Sequence, residues 1–207
     1  MESLTFWNLM KISMVMPVLL VMSILLVTFA LERYILFWRM ARVDGGLLER
    51  VRQWVQAGKI KEASEACKKS KGFLAKAVDA QLAAVNLPKS ERESILTLYH
   101  QRLQVILSQR LGLFGTLSFI SPLLGLLGTV LGVIRAFRDL ALSGSGGPTI
   151  VAAGISEALV ATAAGIAVAV VAAVLYNYFN FRMRHVLSTL NLFGQELMFL
   201  MEYKREV

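Results

Sequence analysis

The sequence predicts an all-α membrane protein with three transmembrane helices, the second and third extended into the cytoplasm as a long helical hairpin. Three observations carry this prediction. Of the 207 residues, 56% are hydrophobic and only 17% charged, the charges are clustered, and three stretches carry none at all. Those stretches, 12–31, 111–134 and 158–181, hold 20, 24 and 24 residues. At 1.5 Å per residue each makes a helix about 30–36 Å long, enough to cross a hydrocarbon core of roughly 30 Å. An ordinary soluble domain is excluded.

Charge orients the spans. The net charge of +8 is of a kind that nucleic acid attracts, but its distribution points elsewhere, and no nucleic-acid partner is expected. Of the 22 Lys and Arg, 15 fall between 32 and 110 against 8 acids, and four more follow Phe181. The positive-inside rule puts both regions in the cytoplasm, beside anionic membrane lipids, and puts the N-terminus and the 141–149 turn in the periplasm. Arg135 and Arg138 sit at the outer end of the second span, two charges against nineteen. The protein is thus expected in a membrane, with most of its basic residues on the cytoplasmic side. Cys67 is the only cysteine, so no intramolecular disulfide can form, and it is expected to be an inert small residue.

In chain order, 1–11 is a short periplasmic N-terminus. The first span and its interface, 12–38, carry Pro17 near the start and Tyr34, Phe37 and Trp38 beside Glu32 and Arg33 at the end, an aromatic belt followed by a cytoplasmic stop. Cleavage as a signal peptide is not expected, because the apolar run is long and Thr28-Phe29-Ala30 lacks the small residues of an A-x-A site. A cytoplasmic helical module follows over 39–89. Asp44-Gly45-Gly46 reads as a break. Leu47, Leu48, Val51, Trp54 and Val55 recur at helical spacing, with Gly58 as a stop. Two further short helices are expected over 60–70 and 73–85. A run resembling half of a helical-hairpin repeat near 57–63 has no second copy, and about 45 residues are too few for a large independent core.

Ser90-Glu91-Arg92-Glu93 reads as a capping box opening the next helix. With Ile95, Leu98, Tyr99, Leu103, Ile106 and Leu113 at spacings of three and four, that helix is expected to run unbroken through 90–140, about 70 Å, with a bend at Pro122. The Gly/Ser-rich turn at 141–149 makes the second and third spans antiparallel. The last helix, 150–207, passes Tyr176 and Tyr178 at the inner interface. Phe181, Val186, Leu187, Leu190, Phe193, Leu197 and Leu200 then give an amphipathic tail outside the membrane.

Polar groups inside the spans are costly and ask for an explanation. Ala153, Glu157, Ala161, Gly165, Ala169 and Ala173 recur at every fourth position, and Gly128-x-x-x-Gly132 stands on the second span; both patterns read first as close helix packing. Glu157 is either a carboxylate favoured by a helix N-terminus or the lining of a hydrated pore. Thr129 and Thr162 would by default bond back to the preceding turn. Counted from the two ends of the hairpin, they lie about 27 Å and 20 Å deep from opposite sides, so their depths nearly meet.

The paired pattern P-x-x-G-x-x-G-T-V-x-G at 122–132 and I-x-E-A-L-x-x-T-x-x-G at 155–165 resembles the MotA/TolQ/ExbB proton-channel family. Three spans and a cytoplasmic insert between the first two make it more similar to the ExbB/TolQ branch than to the four-span MotA branch. The motifs cover about 60 residues, and the topology is compatible throughout. The resemblance implies a homo-oligomer of the bacterial inner membrane, a pentamer, whose second and third spans line a central pore. In that pore would sit a dimer of an ExbD/TolR-like single-span protein, supplying an aspartate as proton carrier. It implies a proton pathway at Thr129, Thr162 and Glu157, and pore-helix packing at Pro122, Gly125, Gly128, Gly132, Ala161 and Gly165. Threonine does not titrate near neutrality, which agrees with a need for an acid on another chain.

The function expected is a proton-conducting stator subunit of a motor driven by the proton motive force. The alternative is a structural membrane scaffold that recruits partners without conducting protons. Nothing favours an enzyme: His100 and His185 lie far apart and are read as a solvated and an interface residue, and there is no Cys/His cluster or phosphate-cradling loop. No cofactor and no metal are expected.

Overall fold

The computed structural model describes residues 15–41, 45–70, 72–143 and 148–206. Seven helices follow in chain order: α1 Met16–Ala41, α2 Gly45–Gln56, α3 Ile60–Lys69, α4 Phe73–Ala83, α5 Lys89–Ser108, α6 Leu111–Ser143 and α7 Pro148–Glu206. No strand occurs among the described residues. Three helical stretches, Met16–Trp38, Lys89–Leu142 and Val151–Glu202, are long and apolar enough to cross a membrane. This is an all-α membrane protein. The expected N-terminal segment 1–11, Asp44 of the first break and 144–147 of the hairpin turn lie outside the described residues.

The chain divides into two units, Met1–Glu32 with Arg110–Tyr178 and Arg33–Gln109 with Phe179–Val207. In the first, the span unit, Leu19, Leu26, Leu111 and Phe114 are buried, but many large side chains lie outside and small ones fill the closest helix contacts. Phe119 is 71% exposed, and Leu123, Leu126, Val130, Val170 and Val174 are exposed as well, while Ala136, Ala158, Ala161 and Ala172 are buried. Where lipid tails are as apolar as leucine, burying leucine gains nothing and small residues let helices approach.

One expectation about the long helix needs correction. The helix expected to run unbroken from 90 through the second span is interrupted after Ser108, and Arg110 takes a left-handed backbone with φ 61°. That conformation costs a non-glycine residue roughly 1–2 kcal/mol. In the span unit the Arg110 guanidinium pairs with Glu32 and lies 5.7 Å from the centre of the Phe29 ring, so tertiary contacts hold it there. Pro122, by contrast, lies inside α6 without ending it.

The second unit, the helical module, has a hydrophobic core of the kind found in water-soluble domains. Leu47, Val51, Val55, Ala63, Cys67, Ala75, Val78 and Leu82 of α2–α4 pack against Phe193, Leu197 and Met201 of α7. The small module thus completes its core with a distant part of the chain. Ion pairs tie its surface: Arg52 to Glu196 at 2.6 Å and Lys89 to Glu202 at 3.4 Å. Phe37 stacks on Phe179 at 5.6 Å, and Arg33, buried, donates to the Ile106 carbonyl at 3.2 Å in the last turn of α5.

Within this unit the expected capping box does not form. Pro88 is the N-cap and Lys89 the first helical residue, so Ser90 is already in the first turn, where its carbonyl accepts from Ser94. The buried face of α5 is also rotated from expectation. Arg92, Leu96, Leu103 and Leu107 are buried, whereas Leu98 is exposed. Likewise Phe181 of the α7 tail is exposed, and the buried series is Leu187, Leu190, Phe193, Leu197 and Met201.

Candidate functional site

The α6–α7 contact of the span unit is a place where backbones nearly touch. A Cβ on Gly125 would lie 2.9 Å from Thr162 Cα and 3.2 Å from its carbonyl oxygen. One on Gly165 would lie 2.5 Å from the Ser121 carbonyl oxygen and 3.0 Å from Gly125 Cα. Further along, Gly132 meets Ala158 at 2.6 Å and Gly154 meets Ala136 at 2.5 Å, measured from the same hypothetical Cβ. As α6 numbers rise, their α7 partners fall, so the two helices are antiparallel. Gly128 is buried as well, and Pro122 is half-buried beside Ser121.

The stripe read at every fourth residue of α7 is corrected by this geometry. A strict four-residue repeat turns about 40° per step on a helix of 3.6 residues per turn. Accordingly Ala153 and Glu157 are exposed and Ala173 is only half-buried. The contact instead follows Gly154, Ala158, Ala161 and Gly165, with Ala172 and, as expected from the stripe, Ala169 also buried. Ala161 and Gly165, expected in the packing set, belong to it.

The two threonines behave differently. Thr129 bonds back within its own helix, Oγ1 donating to the Leu126 carbonyl at 2.6 Å. Thr162 does not bond back: its Oγ1 crosses to α6 and donates to the Gly125 carbonyl at 2.9 Å. That bond exists because Gly125 has no side chain to hold α7 away. Thr162 is therefore level with Gly125, and Thr129 lies one turn, about 6 Å, along α6. Glu157 is exposed and five residues from Thr162, about 7.5 Å along α7 and about 140° around it. A single subunit brings Thr162, Gly125, Gly165 and Ser121 together, and it does not join Glu157 to them.

Ser121 was not singled out by its sequence. It is fully buried at the crossing, with Oγ donating to Leu117 O at 2.6 Å and its own carbonyl against Gly165. Its position immediately before Pro122 and one turn before Gly125 was the available signal. Among the described residues no three of His, Cys, Asp and Glu come together as a metal site. Outside the spans, burial and then the charge of Asp79 push the Cys67 thiol up to about 11. The hydrogen bond to Glu196 raises Arg52 above its ordinary value.

Residues 65–191, which include α6 and α7 as far as Asn191, match the MotA/TolQ/ExbB proton channel family. The chain belongs to that family. It is 44% identical over 68 residues to the biopolymer transport protein ExbB of Salmonella typhimurium, covering 33% of this chain and 28% of that one. It is 32% identical over 138 residues to ExbB of Pseudomonas putida, covering 62% and 42%, and 36% identical over 98 residues to the Tol-Pal system protein TolQ of Pseudomonas aeruginosa, covering 47% and 42%. The chain thus spans less than half the length of each of these relatives. Both names belong to the ExbB/TolQ-like branch.

Proposed function

We propose that this chain is the proton-conducting stator subunit of an inner-membrane complex that uses the proton motive force to energise a partner protein. The observation that carries the reading is the glycine crossing of α6 and α7 with Thr162 bonded across it, inside the part of the chain that matches a proton-channel family. In this reading five copies surround a pore lined by α6 and α7. A dimer of an ExbD/TolR-like single-span protein occupies it and supplies the acid that carries the proton past Thr129 and Thr162, with Glu157 towards the outer end. The N-terminus is periplasmic, and α5 and the α7 tail lie in the cytoplasm. Each proton crossing ~100 mV releases roughly 2.3 kcal/mol for movement of the partner helices.

The test is a complementation assay at neutral pH. At wild-type abundance and assembly, Glu157→Ala is expected to abolish the energy-dependent phenotype and Thr162→Val to weaken it strongly. Normal function of either variant would remove that residue from the proton path.

One observation favours a scaffold instead: both threonine hydroxyls already hold backbone carbonyls, as purely structural threonines do. A scaffold would work equally well with the proton gradient collapsed, so an uncoupler separates the two readings directly.

A further inference from the structure

A threonine hydroxyl has one proton to give and two lone pairs to offer. A backbone carbonyl can only accept. The bonds from Thr162 Oγ1 to Gly125 O at 2.9 Å and from Thr129 Oγ1 to Leu126 O at 2.6 Å therefore fix direction without any view of the hydrogens: both hydroxyls donate, and both donors are spent. The same holds along α6 for Thr116, Ser118 and Ser121, which donate to Gly112, Gly115 and Leu117 carbonyls. Thr129 and Thr162 are only half-buried, so their remaining lone pairs can be reached.

We infer that the α6–α7 hairpin presents an acceptor-only pair, Thr129 and Thr162, which binds the protonated form of a carboxylic acid and not its carboxylate, and that Gly125 is the residue that sets this polarity. The inference rests on the proton-conducting reading above and deepens it. A carboxylic acid beside Thr162 keeps its proton and donates through its O–H to Oγ1, so no bond to the proton breaks at this point. A carboxylate at the same place gets no donor from this hydroxyl, because its proton is held by the Gly125 carbonyl. Hydrogen bonding to the neutral form favours that form, so the hairpin keeps the carrier protonated while it is alongside and favours release of the proton only once the carrier has moved on.

Gly125 makes the arrangement obligatory. With a Cβ there, 2.9 Å from Thr162 Cα, α7 must retreat. The Thr162 hydroxyl then loses its carbonyl and becomes free to donate to a carboxylate.

The experiment is proton flux against pH in inverted membrane vesicles from the host, carrying the full chain with its native partners and scored with a pH-sensitive dye. Thr162→Val is expected to move half-maximal flux down by about one pH unit, a tenfold higher proton concentration, and to regain flux as the pH falls. Thr162→Ser, which keeps a hydroxyl, should retain the wild-type profile, and Gly125→Ala should move it in the same direction as Thr162→Val. If Thr162→Val does not accumulate, Thr162→Cys, whose thiol is a weak acceptor, takes its place with the same expected shift. A shift to higher pH, an unmoved profile, or flux lost at every pH at normal abundance would overturn the acceptor-only pair while leaving proton conduction standing. Absence of uncoupler-sensitive flux from the wild type would overturn proton conduction itself, and the pair with it.

Discussion

The two units of this chain solve packing in opposite ways. In the span unit the closest contacts are made where side chains are missing: Gly125 and Gly165 press backbone on backbone, and a hydroxyl closes the gap. In the helical module, Val51, Val55, Leu82 and Leu197 fill the interior and charged pairs ring it. The difference follows from the solvent. Water rewards burial of apolar area by roughly 25 cal/mol per Å², whereas lipid does not distinguish a leucine against a neighbour from a leucine against an acyl chain. Adding a methyl group should therefore injure the first unit and removing one the second.

The largest effect is expected at Gly165→Ala. Its Cβ would fall 2.5 Å from a backbone oxygen, which cannot swing aside, so the variant should fail to accumulate as folded protein in membranes. Leu197→Ala, at a position with no exposure, should lower the unfolding free energy of the module by roughly 2–5 kcal/mol, seen as a lower melting temperature in detergent with the protein still folded when cold. If Gly165→Ala proved milder than Leu197→Ala, the contrast between the units would collapse.

Smaller effects sharpen the module's side of the comparison. Arg52 and Glu196 each keep 37% of their side-chain surface exposed, so a double-mutant cycle should give a weak coupling that fades with added salt. Cys67 should change nothing at neutral pH. Its thiol is raised from 9.0 to about 11, so above pH 9 the unfolded chain loses a proton that the folded chain keeps. Stability contributed by this group is then present below pH 9 and lost as the pH climbs towards 11. Alkylation of Cys67 should proceed only on unfolding; rapid labelling of the native protein at pH 8 would contradict its burial.

Much of the fold could be read from local signals. Charge-free runs marked the spans, and the apolar spacing from Leu47 to Val55 with Gly58 behind it marked α2, whose stop has φ 78°. The end of α3 moved by one residue and that of α4 by two. What stayed hidden depends on partners distant in sequence. Nothing at Arg110 announces a break, because Glu32 and Phe29 create it. The buried α5 face includes Arg92, which no apolar pattern would nominate. At the site, the motif named both threonines, but only three-dimensional contact separates the one that bonds back from the one that reaches the other helix.

The closing of the module's core by Phe193, Leu197 and Met201 also bears on how the chain is made. Ala83, the end of α4, precedes Phe193 by 110 residues. At synthesis rates of roughly 5–20 residues per second, α2–α4 wait of the order of 5–20 s for the helix that covers them. During that interval Val51, Val55 and Leu82 are open to solvent while two more spans enter the bilayer, so this is the window in which a chaperone holding the nascent module would matter most.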